Sequence, residues 1–411
     1  MEKVRIAVVG YGQRGSTVTT ATLHRIPTVE VTAICDLYQD RVDKGVKESE
    51  EKYGTRVFGT QNYREILDLE EVDAVYVATS WEYHVEIAIE AMKKGKAVAL
   101  EVGGAYHLDE LSQLVRTYEA TKTPMMFMEN CCFDQFELLA TAVARSGKLG
   151  DIVHCHGSYA HDLRQEISSG NIIRHYRLRN YTSRNCENYP THELGPIAKL
   201  LNINRGNRML SLVSVASRAK GLEQYVKDHP ELVEQDPTLA GRTFCQGDIV
   251  NTIITCAGGE TILLRLDTTL PRPYYSREFG VRGTKGFCNK DTETIYLDGE
   301  KDYWVTADGI SHYLRCADAY KDEFLPAIWK DIPPEDLEEG HDAMDMLEFR
   351  AFVDALLQGK EMPIDVYDAA AWMAITVLSE QSIQMGGAPQ AIPDFTDGKW
   401  ILREPRDVID L

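Results

Sequence analysis

The chain has 411 residues, of which 44% are hydrophobic and 26% are charged. This composition is typical of a globular protein with one large domain or two domains of ordinary size. Its 44 Lys and Arg residues and 64 Asp and Glu residues give a formal charge of −20. That charge repels nucleic-acid phosphates and anionic lipids, and no apolar run is long enough to cross a bilayer. We therefore expect a small-molecule partner, and neither nucleic acid nor a membrane.

The N-terminus and the cysteines predict a cytoplasmic protein. The apolar run 6–9 is too short for a signal peptide and stops at Gly10. The nine cysteines are irregularly spaced, as in a protein with free thiols in a reducing compartment. His154 and His156 have strand spacing and could share a metal. No carboxylate pair accompanies them, so we expect no metal.

The first 130 residues alternate between strands and helices. Residues 5–9 form a short β-branched run that ends at a glycine, which is typical of a buried parallel strand. Further strands are predicted at 29–34, 72–79, 96–101 and 124–128, and helices at 16–24, 83–94 and 108–121. The alternation predicts an α/β domain at residues 1–130, built as a doubly wound parallel sheet.

A glycine-rich turn joins the first strand to the first helix. Its sequence, Gly10-Tyr11-Gly12-Gln13-Arg14-Gly15, has the GxGxxG pattern that brings backbone close to a pyrophosphate at a helix N-terminus. The second strand leads to Asp36, whose carboxylate would bind ribose hydroxyls and repel a 2′-phosphate. The turn and this carboxylate predict NAD as the cofactor. The candidate residues here are Gly10, Gly12, Gln13, Arg14, Gly15 and Asp36.

Later strand ends supply further candidates for the cofactor site. Ligands of doubly wound sheets bind at the carboxyl ends of the strands. The residues that follow or end these strands are Trp81, His84, Glu101, Val102 and Asn130.

The pattern changes after about Gly150. Residues 248–256 and 261–268 alternate as antiparallel strands with one packed face do, and helices are predicted at 344–357 and 368–385. We expect a second, α+β domain at 131–411, with its C-terminal helices packed on the first domain.

The first domain resembles the sugar oxidoreductases of the glucose–fructose oxidoreductase and inositol dehydrogenase type (Gfo/Idh/MocA). The resemblance is carried by residues 78–84, the spacing from Ala88 to Lys96, and Glu101-Val102-Gly103. That superfamily usually has a lysine where this chain has Val102. A simple dehydrogenase is expected to keep this lysine as its proton acceptor.

One branch of the superfamily carries valine at that position. It is the NAD-dependent glycosidases of the alpha-N-acetylgalactosaminidase type, glycoside hydrolase family 109, and the resemblance covers nearly the whole chain in the right order. The matching segments are 128–132, 157–163, 189–196, 202–206, 267–274, 283–286, 366–372 and 393–396.

The resemblance implies a redox-neutral glycosidase with tightly bound, recycled NAD. Oxidation at C3 of the sugar makes the C2 proton acidic, the aglycone leaves by elimination, water adds, and the hydride returns to C3. Such enzymes are exceptions to the two-carboxylate scheme. Because elimination depends less on the configuration at C1 than displacement does, we expect both α- and β-glycosides to be accepted.

The resemblance also implies roles for individual residues. His192 can act as a base near neutral pH, while Tyr189 can move a hydroxyl proton or stabilise an enolate oxygen; which of them takes which proton stays open. A proline between them favours a loop. The expected catalytic residues are His192, Tyr189, His156 and Tyr159. The expected substrate-binding residues are Tyr159, Arg177, Tyr189, Thr191, His192 and Tyr274.

Two departures from the family pattern concern the substrate. His156 replaces a glutamate of the family, and Glu193 replaces a glycine that follows the Tyr-Pro-Thr-His motif. We expect a preference other than strict N-acetylgalactosamine. The resemblance further implies an open, mostly antiparallel sheet in the second domain and a homo-oligomer, either a dimer or a tetramer.

Two other functions compete with this one. A sugar or polyol dehydrogenase would accumulate NADH in step with substrate, and would more naturally keep the lysine that Val102 replaces. A non-catalytic regulator that binds NAD or a sugar would show no turnover, and would leave Tyr189 and His192 without a purpose.

Overall fold

The computed structural model describes residues 2–299, 313–337 and 343–409. The chain forms two compact units. The first comprises Met1–Phe133 and Asp331–Ala370, and the second comprises Asp134–Lys330 and Ala371–Leu411. No helix within the described ranges is long and apolar enough to cross a membrane.

The first unit contains a six-stranded sheet in the order β3-β2-β1-β4-β5-β6. All neighbouring strands in it are parallel, so the predicted doubly wound α/β fold is confirmed. The order is that of dinucleotide-binding sheets, with the reversal between β1 and β4. The strands are β1 (Val4–Val9), β2 (Val29–Cys35), β3 (Phe58–Thr60), β4 (Ala74–Val77), β5 (Ala97–Glu101) and β6 (Met125–Met128).

The helices of the first unit come from both of its chain segments. They are α1 (Gln13–Ala21), α2 (Gln39–Tyr53), α3 (Tyr63–Leu67), α4 (Trp81–Lys93), α5 (Leu108–Thr121), α14 (Pro334–Leu337) and α15 (Met344–Gln358), with 3-10 turns at Leu23–Arg25 and Asn130–Phe133. Helix α15 packs on β1 and on the turn at Asn130–Phe133. The ring of Phe349 on α15 lies edge-on to Tyr76 of β4, with 5.1 Å between centroids.

The second unit contains an eight-stranded sheet in the order β13-β12-β11-β7-β10-β9-β8-β14. Neighbouring strands are antiparallel except for the parallel pair β7 and β10, which confirms the predicted mostly antiparallel sheet. The strands are β7 (Ile152–Ala160), β8 (Met209–Ala216), β9 (Ile249–Cys256), β10 (Thr261–Asp267), β11 (Gly280–Gly283), β12 (Gly286–Asn289), β13 (Thr294–Leu297) and β14 (Gln390–Ala391).

One face of this sheet packs on helix α9 (Thr191–Leu200), which contacts β7. The second unit has several helices. They include α6 (Gln135–Arg145), α7 (Arg164–Ser168), α8 (Arg177–Ser183), α9 (Thr191–Leu200), α10 (Gly221–Asp228), α11 (Pro230–Gln235), α12 (Asp318–Phe324) and α13 (Ala327–Lys330), with 3-10 turns at Pro237–Leu239 and Lys399–Ile401; α16 (Val366–Gln384) begins in the first unit and ends in the second. The opposite face is open: Val213, Ile253, Leu263 and His156 form a row across four strands and retain partial or high exposure.

Helix α9 corrects one expectation. The loop predicted around Pro190 ends at that residue, because α9 starts at Thr191. Pro190 has φ −71° and ψ −15°. Its fixed φ already suits a helix start, where no N–H of the proline is required. Thr191 and His192 therefore lie in the first helical turn.

A buried carboxyl pair anchors this turn. Glu187 and Glu193 are 0% and 1% exposed, and the two carboxyl groups are close enough to influence each other's charge. A Cβ added to Gly157 of β7 would lie 2.8 Å from the Cβ of Glu193, so only glycine leaves room for α9 at this height. Burial raises the pKa of Glu187 well above its usual range.

This pair makes stability depend on pH. The folded state keeps a proton on Glu187 at pH values where the unfolded chain has released it, so stability falls as pH rises from the ordinary glutamate pKa toward the raised one. Glu187→Gln keeps the size and shape of the side chain without a titrating proton. We expect its melting temperature to fall less than that of the wild type between pH 6 and about pH 9, as measured by circular dichroism.

Glu223→Gln is the matched control, because Glu223 lies in the same unit and pairs with Lys220 near the surface. Its pH slope should equal that of the wild type. Equal slopes for Glu187→Gln and the wild type would contradict a raised pKa of Glu187 in the folded state.

Candidate functional site

The glycine turn of the first unit is shaped by close backbone contacts. Gly10 has φ +102°, and a Cβ there would overlap the carbonyl group of Ala78. A Cβ on Gly15 would overlap the carbonyl oxygen of Gly10, whereas a Cβ on Gly12 would meet only the guanidinium of Arg41, at 3.4 Å. Gly12 thus leaves free the space in which a pyrophosphate approaches the start of α1. The turn fits the cofactor that the sequence predicts.

Asp36 follows β2 and is held in place by backbone. Its Oδ2 accepts the N–H of Tyr11 at 2.8 Å, and its Oδ1 accepts the N–H of Tyr38 at 3.0 Å. Arg41 Nη1 lies 3.7 Å from Oδ2. Each carboxylate oxygen keeps a further acceptor site. The arrangement suits the two hydroxyls of an adenosine ribose.

Arg14, also in the glycine turn, bridges two carboxylates. Its Nε donates to Glu101 at 2.8 Å, and its Nη1 and Nη2 donate to Asp345 at 2.5 and 3.0 Å. The hydroxyl of Tyr76 donates to the same oxygen of Glu101 at 2.7 Å, and the amide of Asn130 donates to Asp345 at 2.8 Å. The two carboxylates hold the pKa of Arg14 well above its ordinary value despite its burial.

A third acid, Glu348, lies beside them on α15. It is 0% exposed, and neither of its oxygens has a hydrogen-bond partner among the described residues. Burial, together with Glu101 and Asp345, raises its pKa well above the usual range, which favours the neutral form of the side chain. We call Arg14, Glu101, Asp345 and Glu348 the Arg14 cluster.

Other predicted cofactor residues surround the ends of β4 and β5. His84 is buried in the first half of α4, its Nε2 lies 3.0 Å from the carbonyl of Thr79, and desolvation lowers its pKa. Trp81 packs against Gly103, where a Cβ would overlap the indole. Val102 is 5% exposed and places an aliphatic side chain where the superfamily carries its lysine.

The second unit brings three predicted residues, Tyr159, Tyr189 and His192, together with Tyr275 in an aromatic cluster. The ring centroids of Tyr159 and Tyr189 are 4.6 Å apart, those of Tyr189 and His192 are 4.7 Å apart, and those of Tyr159 and His192 are 5.6 Å apart. The ring centroid of Tyr275 lies 5.9 Å from that of Tyr159. Three phenols and one imidazole, all groups that can transfer protons, thus share a site.

Arg177 lies beside this cluster as a buried cation. Its guanidinium carbon is 5.1 Å from the ring centre of Tyr189 and 5.9 Å from that of Tyr159. Its Nε lies 3.2 Å from Glu166. Tyr159 and Glu166 keep the pKa of Arg177 well above its ordinary value despite burial. Because Arg177 is removed from water, its positive charge stabilises negative charge that develops on neighbouring oxygens.

Thr191 occupies the first position of α9. It is 0% exposed, and its hydroxyl has no hydrogen-bond partner within the described parts of the chain. A buried hydroxyl without a partner is costly, and a ligand hydroxyl would satisfy it.

Two predicted residues lie away from the aromatic cluster. His156 lies on the open face of the sheet, since side chains alternate along β7 and Gly157 faces α9. Its ring stacks on His154, with centroids 5.8 Å apart, and desolvation lowers its pKa. Tyr274 is 61% exposed and packs on Arg272. Tyr275, its neighbour, is the residue in the cluster.

Several residues near the two clusters were not predicted from the sequence. Asp345 and Glu348 lie more than 200 residues from the cofactor motif, and their acidic spacing on one helix face is the only local signal they carry. Tyr275 is adjacent to Tyr274 and is itself 42% exposed, yet its ring is the one that contacts Tyr159. Glu166 was not predicted because no motif surrounds it.

Comparison of the sequence with known families finds two matches, which follow one another along the chain. Residues 4–128 match the family described as "Oxidoreductase family, NAD-binding Rossmann fold". Residues 133–402 match "Glycosyl hydrolase 109, C-terminal domain". The second match covers more than half of the chain.

Curated relatives match along nearly the whole chain. A glycosyl hydrolase family 109 protein of Stenotrophomonas maltophilia is 36% identical, with 98% of this chain and 91% of that protein covered. An alpha-N-acetylgalactosaminidase of Tannerella forsythia is also 36% identical, with 92% and 83% covered.

Among solved structures, scyllo-inositol dehydrogenase of Lactobacillus casei, with bound NAD(H) and scyllo-inositol, superimposes with a TM-score of 0.64. Its sequence identity is 14%, and 95% of this chain and 99% of that one are covered. At this identity the likeness concerns the fold.

The family matches, the relatives and the glycine turn lead to one conclusion. The chain is an NAD-dependent glycosidase that belongs to glycosyl hydrolase family 109, and its first unit is an NAD-binding Rossmann domain of the Gfo/Idh/MocA type.

Proposed function

We propose that this glycosidase cleaves its substrate by transient oxidation at C3 of the sugar, elimination of the aglycone, addition of water and return of the hydride. The observation that carries the proposal is the aromatic cluster beside a buried arginine, in a chain with valine at the superfamily's lysine position. Displacement at C1 would instead call for a pair of carboxylates across the sugar.

NAD supplies a reversible hydride acceptor when bound. The glycine turn and Asp36 hold it through its pyrophosphate and ribose. We propose that it stays bound and returns to its oxidised state in each turnover, so that no NADH accumulates.

The residues of the second unit handle protons. Oxidation at C3 requires the hydroxyl proton to leave, and the phenolate form of Tyr159 or Tyr189 accepts it to become a phenol, since the Arg177 cation favours negative charge there. The C3 ketone makes the C2 proton acidic, and His192 or Tyr189 removes it. Negative charge on the enolate oxygen is stabilised by Arg177 and by phenol hydroxyls. The C1–O bond then breaks.

The second half of the cycle reverses these roles. The aglycone leaves with a proton from solvent, and water adds at C1 of the unsaturated ketone and releases one. The group that took the C2 proton exchanges it with solvent and returns a proton to C2. The hydride returns to C3 and the phenol returns the proton to its oxygen. Thr191 is placed to bind a sugar hydroxyl. In this proposal His156 takes no part in proton transfer, because it faces the open side of the sheet.

Several features of substrate and assembly belong to the same proposal. Both α- and β-glycosides are accepted, because elimination from the ketone depends little on the configuration at C1. The sugar differs from strict N-acetylgalactosamine, since Glu193 takes a position of the family's glycine. The protein acts in the cytoplasm as a homo-oligomer, for which the partly apolar open face of the second sheet offers a surface.

The competing function is an NAD-linked sugar or polyol dehydrogenase. Structural neighbours with that activity share the fold. Their fold alone does not favour it, because the proton acceptor expected for such an enzyme is Val102 here.

The first test uses aryl α- and β-glycosides of several sugars with the NAD-bound protein in D2O. We expect aglycone release, deuterium at C2 of the product sugar by NMR, and no net rise in absorbance at 340 nm. The exchange follows from the acidity of the C2 proton next to a ketone. Release without deuterium at C2 would contradict elimination, and NADH build-up without release would indicate a dehydrogenase.

A second test replaces the imidazole. We expect His192→Ala to lower the rate of aglycone release by at least about 100-fold, the scale of general acid–base catalysis, while NAD binding measured by cofactor fluorescence is retained. His229→Ala is the matched control, since His229 stacks on Tyr225 in the same unit. His156→Ala should also retain activity. Full activity in His192→Ala would remove His192 from the mechanism.

A further inference from the structure

The Arg14 cluster has an unbalanced charge. Arg14 supplies one positive charge and is bonded to two carboxylates, those of Glu101 and Asp345. Glu348 is neutral. Tyr76 donates a hydrogen bond and keeps its proton, because burial beside Glu101 raises its pKa well above the ordinary value. The cluster therefore carries at least one net negative charge in a buried site.

Glu129 does not reverse this count. It is a buried neighbour of Glu348, and its Oε1 accepts the N–H of Cys131 at 3.1 Å. Glu129 can only add negative charge. His84, the imidazole near Glu101, has a pKa lowered by desolvation and is neutral at pH 7.

The position of the cluster in the fold relates this charge to one end of the cofactor. In this strand order the two halves of the sheet each take one mononucleotide, and the acidic residue after β2 takes the adenosine ribose. The nicotinamide half therefore belongs to the ends of β4, β5 and β6. Glu101 is the last residue of β5, and Asn130, which holds Asp345, lies two residues beyond β6.

We propose that the Arg14 cluster holds the cofactor in its oxidised state, because the nicotinamide ring is positive in NAD+ and neutral in NADH. The buried negative charge attracts the oxidised ring and has no comparable attraction for the reduced one. Glu348, buried without a partner and neutral, packs beside the two carboxylates without adding charge. The proposal deepens the proposed redox-neutral cycle, which must end every turnover with NAD+.

The test measures which form of the cofactor the protein retains. The full-length protein is equilibrated with mixtures of NAD+ and NADH of known ratio, free nucleotide is removed by rapid desalting, and the bound nucleotides are quantified by chromatography. The wild type should be enriched in NAD+ relative to the mixture. A single buried charge at nicotinamide distance changes such a ratio by about tenfold.

Variants separate charge from shape. Glu101→Gln keeps an oxygen to accept from Tyr76 and Arg14, and Asp345→Asn keeps the size of the side chain. Each should move the bound ratio toward NADH by about tenfold. Glu348→Gln is the matched control, because it replaces a neutral side chain in the same cluster, and it should leave the ratio within about twofold.

Three outcomes would overturn the proposal. They are a wild type enriched in NADH, a Glu101→Gln or Asp345→Asn variant that binds both forms more weakly without a change in ratio, and an equal shift in Glu348→Gln. If a variant fails to fold, the ratio of NAD+ to NADH bound by the wild type still tests the proposal. No glycoside is used, so failure of the proposed elimination mechanism would show in the D2O experiment and not here.

Discussion

The bidentate ion pair between Arg14 and Asp345 is the interaction on which the cofactor half depends. It joins residues 331 positions apart in the chain and attaches α15 to the glycine turn. Without Asp345, the guanidinium of Arg14, whose side chain is 27% exposed, would lose the partner that joins α15 to the glycine turn. The same contacts that fix the turn also set the charge near the end of β5.

A second buried arginine defines the sugar half. Arg177 lies beside Tyr159 and Tyr189, and His192 completes the group from the start of α9. The glutamate pair at Glu187 and Glu193 anchors that helical turn against β7. In the proposed mechanism, tyrosines beside a buried cation would take the role of proton acceptor in a chain that has valine at the superfamily's lysine position. This is the chemical reason to favour elimination over simple dehydrogenation.

Sequence patterns predicted the first sheet well, since β-branched runs alternating with helices have few other solutions. They also predicted Tyr159, Tyr189 and His192 as one group, through a family resemblance. They failed where the direction of a side chain matters. His156 and Tyr159 are an odd number of positions apart on one strand, so their side chains point to opposite faces of the sheet. Thr191 was expected in a loop, although a proline before it suits a helix start.

Long-range contacts were beyond sequence reasoning for a different reason. Asp345 and Glu348 reach the glycine turn only because the chain returns to the first unit after the whole second sheet is built. Local propensity carries no information about that return. Glu193 is the opposite case. Its departure from the family pattern was visible in the sequence, but its neighbour Glu187 and its position against Gly157 could be seen only in the structure.

The most direct measurement of the central claim uses an aryl glycoside with deuterium at C3. If C3 is oxidised and reduced in each turnover, aglycone release should show a primary kinetic isotope effect of about 2 or more when hydride transfer limits the rate, and the released sugar should still carry the deuterium at C3. Aglycone release from the labelled substrate at the unlabelled rate, together with no 340 nm transient in stopped flow, would contradict the account.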